Sequence, residues 1–178
     1  MKKHKELISW VITIAAAVLI AVLLNAFVFK IVVVNKTSMV PTLNSGDKVF
    51  LSKITYTFSE PKSGDIIVFS RDNDPETYYI KRVIGLPGDT IDILGGKVYR
   101  NGVELNEPYI AEITEDTLSV TVPEGEYFVM GDNRNLSVDS KNPQFGNAKR
   151  ENILGKVVFS ISPFGKIEKY NHDYANKS

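Results

Sequence analysis

From Ile8 to Phe29 nearly every side chain is apolar; only Ser9, Thr13 and Asn25 interrupt the run, and no charge does. A stretch apolar on all sides has no face to offer water, and as a helix its 22 residues would extend about 33 Å, enough to cross a hydrocarbon core of about 30 Å. The pattern predicts a transmembrane helix over 8–29. Lys2, Lys3 and Lys5 lie ahead of it, so the positive-inside rule predicts a cytoplasmic tail of residues 1–7 and an outer domain of residues 30–178. A cleaved leader is the main competing reading, because Ala15-Ala16-Ala17 offers small residues for cutting; the apolar run continues well beyond them, longer than a leader needs. A buried helix of this length would require a larger core than the chain can build.

Beyond Lys30 the period changes. Short β-branched and aromatic runs at Ile31–Val34, Lys48–Leu51, Asp65–Phe69, Tyr78–Ile84, Thr90–Ile93, Lys97–Tyr99, Ser119–Val122, Tyr127–Met130 and Val157–Ile161 predict strands. Turn residues separate them, among them Asn44-Ser45-Gly46-Asp47, Pro61-Lys62-Ser63-Gly64, Pro87-Gly88-Asp89 and Gly95-Gly96. Asn101-Gly102 between Val98-Tyr99-Arg100 and Val103-Glu104-Leu105 predicts a hairpin with a type I′ turn. One short helix is expected near Lys149–Ile153, and the tail from Tyr170 is expected to fray. The fold class is therefore mainly β behind an amino-terminal membrane helix. Residues 95–123 carry five acidic against two basic side chains and the turn pairs Gly95-Gly96 and Asn101-Gly102, which suggests a small separate flap on the main sheet.

Charge and composition narrow the partners. With 21 basic and 21 acidic residues in 178, no basic excess exists to neutralise phosphates, so nucleic acid is not expected as a partner. The chain has no Cys, which removes disulfides, thiolate nucleophiles and thiolate zinc sites together. Its two histidines, His4 and His172, fall on the predicted inner tail and at the far carboxyl end, where neither a Ser-His-Asp triad nor a zinc site can be assembled. No metal or cofactor is expected.

A serine can instead be activated by a neutral lysine, provided burial lowers the lysine pKa. A shift of about three units corresponds to roughly 4 kcal/mol, which only an apolar, water-poor site imposes. Tyr78-Tyr79-Ile80-Lys81-Arg82-Val83-Ile84 holds a lysine inside an apolar strand. Alternation places Lys81 with Tyr79 and Val83, and Arg82 opposite with Ile80 and Ile84, so one of the two cations must face inward. Ser59-Glu60-Pro61-Lys62 also has S-x-x-K spacing, but Pro61 disfavours the helix on which that motif acts.

Four segments, in order, carry a family resemblance: Ser38-Met39-Val40-Pro41-Thr42-Leu43, Gly64-Asp65-Ile66-Ile67-Val68-Phe69, Tyr79-Ile80-Lys81-Arg82-Val83-Ile84-Gly85-Leu86-Pro87-Gly88-Asp89, and Gly131-Asp132-Asn133-Arg134 with Ser137, Asp139 and Ser140. With the apolar run ahead of them, they make the chain resemble a type I signal peptidase of the short, single-anchor Gram-positive kind. The resemblance implies an extracytoplasmic antiparallel β-sheet catalytic domain on the cell membrane. It also implies an endopeptidase that removes signal peptides from exported precursors at Ala-X-Ala-like sites through an acyl-enzyme.

Carried over by position, the resemblance implies Ser38 as nucleophile, Lys81 as general base and Ser137 as a hydrogen-bonding partner of the lysine. Asp139 would brace that wall, paired with Lys141, where relatives commonly carry Arg; lysine keeps the charge and loses the fork. Val34, Met39, Leu43, Tyr79 and Ile80 would line pockets for the small side chains before the cut. The Ser38 backbone N–H would supply one oxyanion donor. The hydroxyl that some relatives carry two residues earlier is replaced here by Lys36. The partners implied are secretory precursors and the lipid bilayer. A non-cleaving assembly chaperone of the same fold is the alternative, and such a protein would be expected to lack the serine or the lysine. Eight residues separate Lys30 from Ser38, so even an extended tether holds the serine within about 26 Å of the bilayer edge.

Overall fold

A computed structural model describes residues 2–162 and 164–167, and within the amino-terminal helix the side chains of residues 6, 8–20 and 22. The helix, α1, covers Lys2–Phe27. Every large apolar side chain described on it, from Ile8 to Val22, is more than half exposed. Among the described residues no helix is long and apolar enough to cross a membrane. The predicted span takes in residues 21 and 23–27, whose side chains lie outside that set. The tail expected to fray from Tyr170 lies outside the described residues as well.

The other described elements are antiparallel strands and two 3-10 turns. The strands are β1 (Phe29–Val33), β2 (Lys48–Ser52), β3 (Ile66–Arg71), β4 (Asp74–Gly85), β5 (Thr90–Leu94), β6 (Lys97–Arg100), β7 (Val103–Glu104), β8 (Leu118–Thr121), β9 (Glu126–Met130), β10 (Ala148–Lys149), β11 (Ile153–Ser162) and β12 (Phe164–Lys166). Eight form one sheet in the order β1-β2-β11-β3-β4-β9-β10, with β12 against β11; the other four form a second sheet, β7-β6-β5-β8. The expected short helix near Lys149 is a single 3-10 turn over Arg150–Asn152, and a second such turn at Thr55–Thr57 was not anticipated.

Burial patterns explain how the sheets pack. In β3 the unbroken run Ile66-Ile67-Val68-Phe69 has no polar face because both its faces are covered. Ile66 and Val68 join a cluster with Val34, Met39, Leu43 and Leu51, whereas Ile67 and Phe69 join one with Val83, Tyr127 and Phe145. In β5, by contrast, buried Ile91 and Ile93 alternate with more exposed neighbours, as expected of a sheet wet on one side. Those two isoleucines pack with Ile84, Phe128 and Met130, which fastens the small sheet to the ends of β4 and β9. The hairpin β6–β7 turns through Asn101 at φ 53° and Gly102 at φ 77°, the two positive angles that a type I′ turn requires.

Candidate active site

Ser38 lies on the loop between β1 and β2, and Lys81 lies near the centre of β4. The loop is fixed from two sides. Leu43 N–H bonds to the Met39 carbonyl at 2.8 Å while Met39 and Leu43 sink into the core, and Asn133 N–H reaches the Ser38 carbonyl at 3.1 Å. The Asn133 amide also donates to the Thr37 carbonyl at 3.2 Å. Lys81 Nζ donates to Ser38 Oγ at 2.6 Å. The lysine is only 4% exposed.

Burial pushes the Lys81 pKa down to about 8. The Asp139 charge opposes that shift, Lys141 and Lys36 reinforce it, and Asp132 opposes it again. The net effect is a lysine with an accessible neutral form near physiological pH, in contact with a hydroxyl. Among the described residues no hydrogen bond occupies the Ser38 N–H, which leaves that donor free to meet a developing negative charge.

Gly131 holds the next part of the wall. A Cβ there would come within 2.3 Å of both Ser137 Oγ and the Ser38 carbonyl oxygen, so the backbone closes to a distance only glycine allows. Ser137 therefore stands beside the Ser38 loop. Among the described residues its buried hydroxyl has no hydrogen-bond partner, whereas the family resemblance implies a bond to Lys81; the lysine amine is instead directed to Ser38 Oγ. Asp139 is 1% exposed and accepts from Gly131 N–H at 2.9 Å. Lys141 Nζ bonds both Asp139 oxygens, at 2.9 and 3.1 Å, and the Arg134 carbonyl at 2.9 Å. Three contacts thus fix the Lys141 amine, two of them to Asp139.

A groove of about 490 Å³ leads to the pair, walled by residues 30–36 on one side and 76–81 on the other, with Ser38 and Met39 between them. Val34, Met39, Tyr79 and Ile80 line it; Leu43 does not, being fully buried in the core with Val34 and Met39. Among the described residues β4 is an open edge on the groove side, because β3 pairs with it from Asp74 to Arg82 while β9 joins only between Arg82 and Gly85. Lys36 is exposed at the rim, its Nζ 5.8 Å from the centre of the Tyr79 ring. The Ser59/Lys62 pair is not assembled into a site: Ser59 Oγ donates to the Thr55 carbonyl at 2.7 Å.

Both strand cations are buried; alternation, which puts them on opposite faces, required one of them to face inward. Arg82 meets Asp132 in a bidentate pair, Nε to Oδ1 at 2.8 Å and Nη2 to Oδ2 at 2.7 Å, with both side chains fully buried. It also donates to the Gly64 carbonyl at 3.0 Å. Arg134, Glu107 and Tyr109 extend this network, and nothing in local periodicity could have joined residues 107 and 134.

The family described as signal peptidase, peptidase S26, matches residues 7–162. A signal peptidase I of Bacillus licheniformis is 40% identical over 94% of this chain and 95% of its own length. Signal peptidase I S of Bacillus subtilis is 37% identical over 96% and 97%, and a probable signal peptidase I-1 of Synechocystis is 42% identical over 83% and 78%. Among solved structures, a signal peptidase I from Enterococcus faecalis is 35% identical with a TM-score of 0.50, covering 56% of this chain and 97% of that one. With a family match along most of its length and relatives well above 30% identity, the chain belongs to the signal peptidase family, peptidase S26, and is a serine endopeptidase.

Proposed function

We propose that this enzyme removes amino-terminal signal peptides from exported precursors by means of a Ser38/Lys81 dyad. The observation that carries the reading is the 2.6 Å contact between a lysine amine held in a dry site and a serine hydroxyl at the end of a groove. Neutral Lys81 takes the Oγ proton as Ser38 attacks the scissile carbonyl carbon, and the Ser38 N–H meets the oxygen that becomes negative. Lys81, now an ammonium, gives its proton to the departing amine as the C–N bond breaks, leaving an acyl-enzyme. A water deprotonated by Lys81 then attacks the ester, and the serine recovers its proton. The buried Ser137 hydroxyl, without a partner among the described residues, is available to accept from the ammonium in these steps.

An extended precursor segment fits the groove by pairing with the open edge of β4. Its side chains would alternate, so those of the residue before the cut and the third before it would face the apolar Val34, Met39, Tyr79 and Ile80. Asp139 and Lys141 support this wall from behind Gly131. We assign residues 1–7 to a cytoplasmic tail, 8–29 to a membrane anchor and 30–178 to a catalytic domain on the outer face, with 95–123 as its flap. Support for the anchor comes from the side chains of Ile8 to Val22, an apolar helix surface that water does not favour. Lipid is the partner that would cover it.

The test uses detergent-solubilised full chain and an exported precursor with an Ala-X-Ala site, read by product mass. Cleavage after the second alanine by wild type and none by Lys81→Ala is expected. If wild type leaves several such precursors intact where another signal peptidase cuts them, the activity assigned here is wrong and a chaperone role takes its place.

A further inference from the structure

The β7–β8 connection reaches across to the segment that holds Ser38. Glu107 on that connection accepts from Arg134 through both carboxylate oxygens, Oε2 from Nη1 at 2.7 Å and Oε1 from Nη2 at 2.6 Å. Tyr109 donates its hydroxyl to Glu107 Oε1 at 2.8 Å. Its ring lies 3.9 Å from the Arg82 guanidinium carbon and 5.8 Å from that of Arg134. Thr114, at the end of the same connection, accepts from Arg134 Nη1 at 3.1 Å. Both arginines, Tyr109 and Thr114 are buried.

What these contacts hold is the backbone behind the nucleophile. Arg134 Nε donates to the Gly131 carbonyl at 3.0 Å, while Gly131 N–H donates to Asp139. Arg82 fixes Asp132, and Asn133 N–H grips the Ser38 carbonyl. Every residue from Gly131 to Arg134 is therefore held, and the guanidinium planes that hold two of them are set by Glu107 and Tyr109. A carboxylate can orient a guanidinium through paired parallel bonds, and a ring face favours a cation stacked on it.

We propose that Glu107 and Tyr109 are positioning residues for catalysis, acting through Arg134 and Arg82 to fix the 131–134 segment and with it the place of Ser38 relative to Lys81. They touch neither the groove nor the reacting atoms, so they govern turnover and leave binding alone. The inference rests on the dyad reading above.

Steady-state cleavage of an Ala-X-Ala precursor by full-length Glu107→Ala, Glu107→Gln and Tyr109→Phe would be measured at least 10 °C below each variant's melting temperature. Glu104→Gln serves as control, since its exposed pair with Lys97 lies on the same small sheet. Expected are a fall in kcat of at least 30-fold for Glu107→Ala, a smaller fall for Glu107→Gln, which keeps one acceptor, and a few-fold fall for Tyr109→Phe. KM should stay within twofold and the control should match wild type. Should Glu107→Ala not fold, Glu107→Gln decides. Lower melting temperatures with unchanged kcat would overturn the positioning role while leaving the dyad intact, as would a change confined to KM. Absence of cleavage by wild type would overturn the activity and this inference together.

Discussion

Lys81→Met should make the protein more stable while destroying its activity. The fold keeps the Lys81 amine out of water and thereby lowers its pKa from 10.5 to about 8. That shift corresponds to about 3 kcal/mol at pH values where the lysine is charged in both folded and unfolded chains. The sign follows from proton counting. Between pH 8 and 10.5 the unfolded chain holds a proton that the native state has released, so native stability rises with pH across that window; below pH 8 the native state bears the whole cost of a buried cation. Methionine keeps the length and removes the charge. Losing the hydrogen bond to Ser38 Oγ offsets about 1 kcal/mol, which leaves a net gain of about 2 kcal/mol near pH 6.5. For a domain of this size that gain is a rise of about 4–8 °C in Tm. Thermal melts of detergent-solubilised wild type and variant at pH 6.5 and 9.5 would measure it, and the gain should shrink by roughly 2 kcal/mol at the higher pH. A variant no more stable than wild type at pH 6.5, or a gain independent of pH, would refute the claim that the site holds its lysine against the pull of water.

Three further outcomes are expected. Gly131→Ala should reduce kcat about a hundredfold or more, because its Cβ cannot occupy the space next to Ser137 Oγ and the Ser38 carbonyl without moving one of them; unchanged kcat would show that the wall yields harmlessly. Asp132→Ala leaves the Arg82 guanidinium buried without its bidentate partner and should cost about 3–5 kcal/mol, measured as a lower urea midpoint with unchanged slope. Leu19→Arg places a charge within the apolar helix surface and should disfavour membrane insertion by about 3 kcal/mol; flotation with liposomes should shift material to the soluble fraction, and equal flotation would count against a membrane-crossing α1.

The strand periods and turn residues were legible because they are local. Asn101-Gly102 specified its own turn, and the apolar run Ile66–Phe69 marked a strand, whose cover on both faces comes only with the fold. Alternation put Lys81 and Arg82 on opposite faces but could not show that both faces are covered: Arg82 lies under the β7–β8 connection and is compensated by Asp132 and Tyr109, distant in sequence. Glu107 and Arg134 likewise meet only through the second sheet, so no spacing rule could pair them. Leu43 was expected in the groove by its position in the family resemblance, beside Ser38 and Met39. The tight turn that buries both residues sends only Met39 to the groove wall. Ser137 illustrates a finer limit. Its position beside Gly131 is fixed by backbone closure, and its bonding state depends on where a single lysine amine points.

The central claim, that Lys81 in its neutral form activates Ser38, is tested most directly by the pH dependence of kcat/KM for cleavage of an Ala-X-Ala precursor. Because the free enzyme must lose the Lys81 proton before it can act, the rate should climb tenfold per pH unit on the acid side and level off above a midpoint near 8. A profile flat from pH 6 to 9, or appreciable turnover by Lys81→Met at any pH in that range, would contradict it.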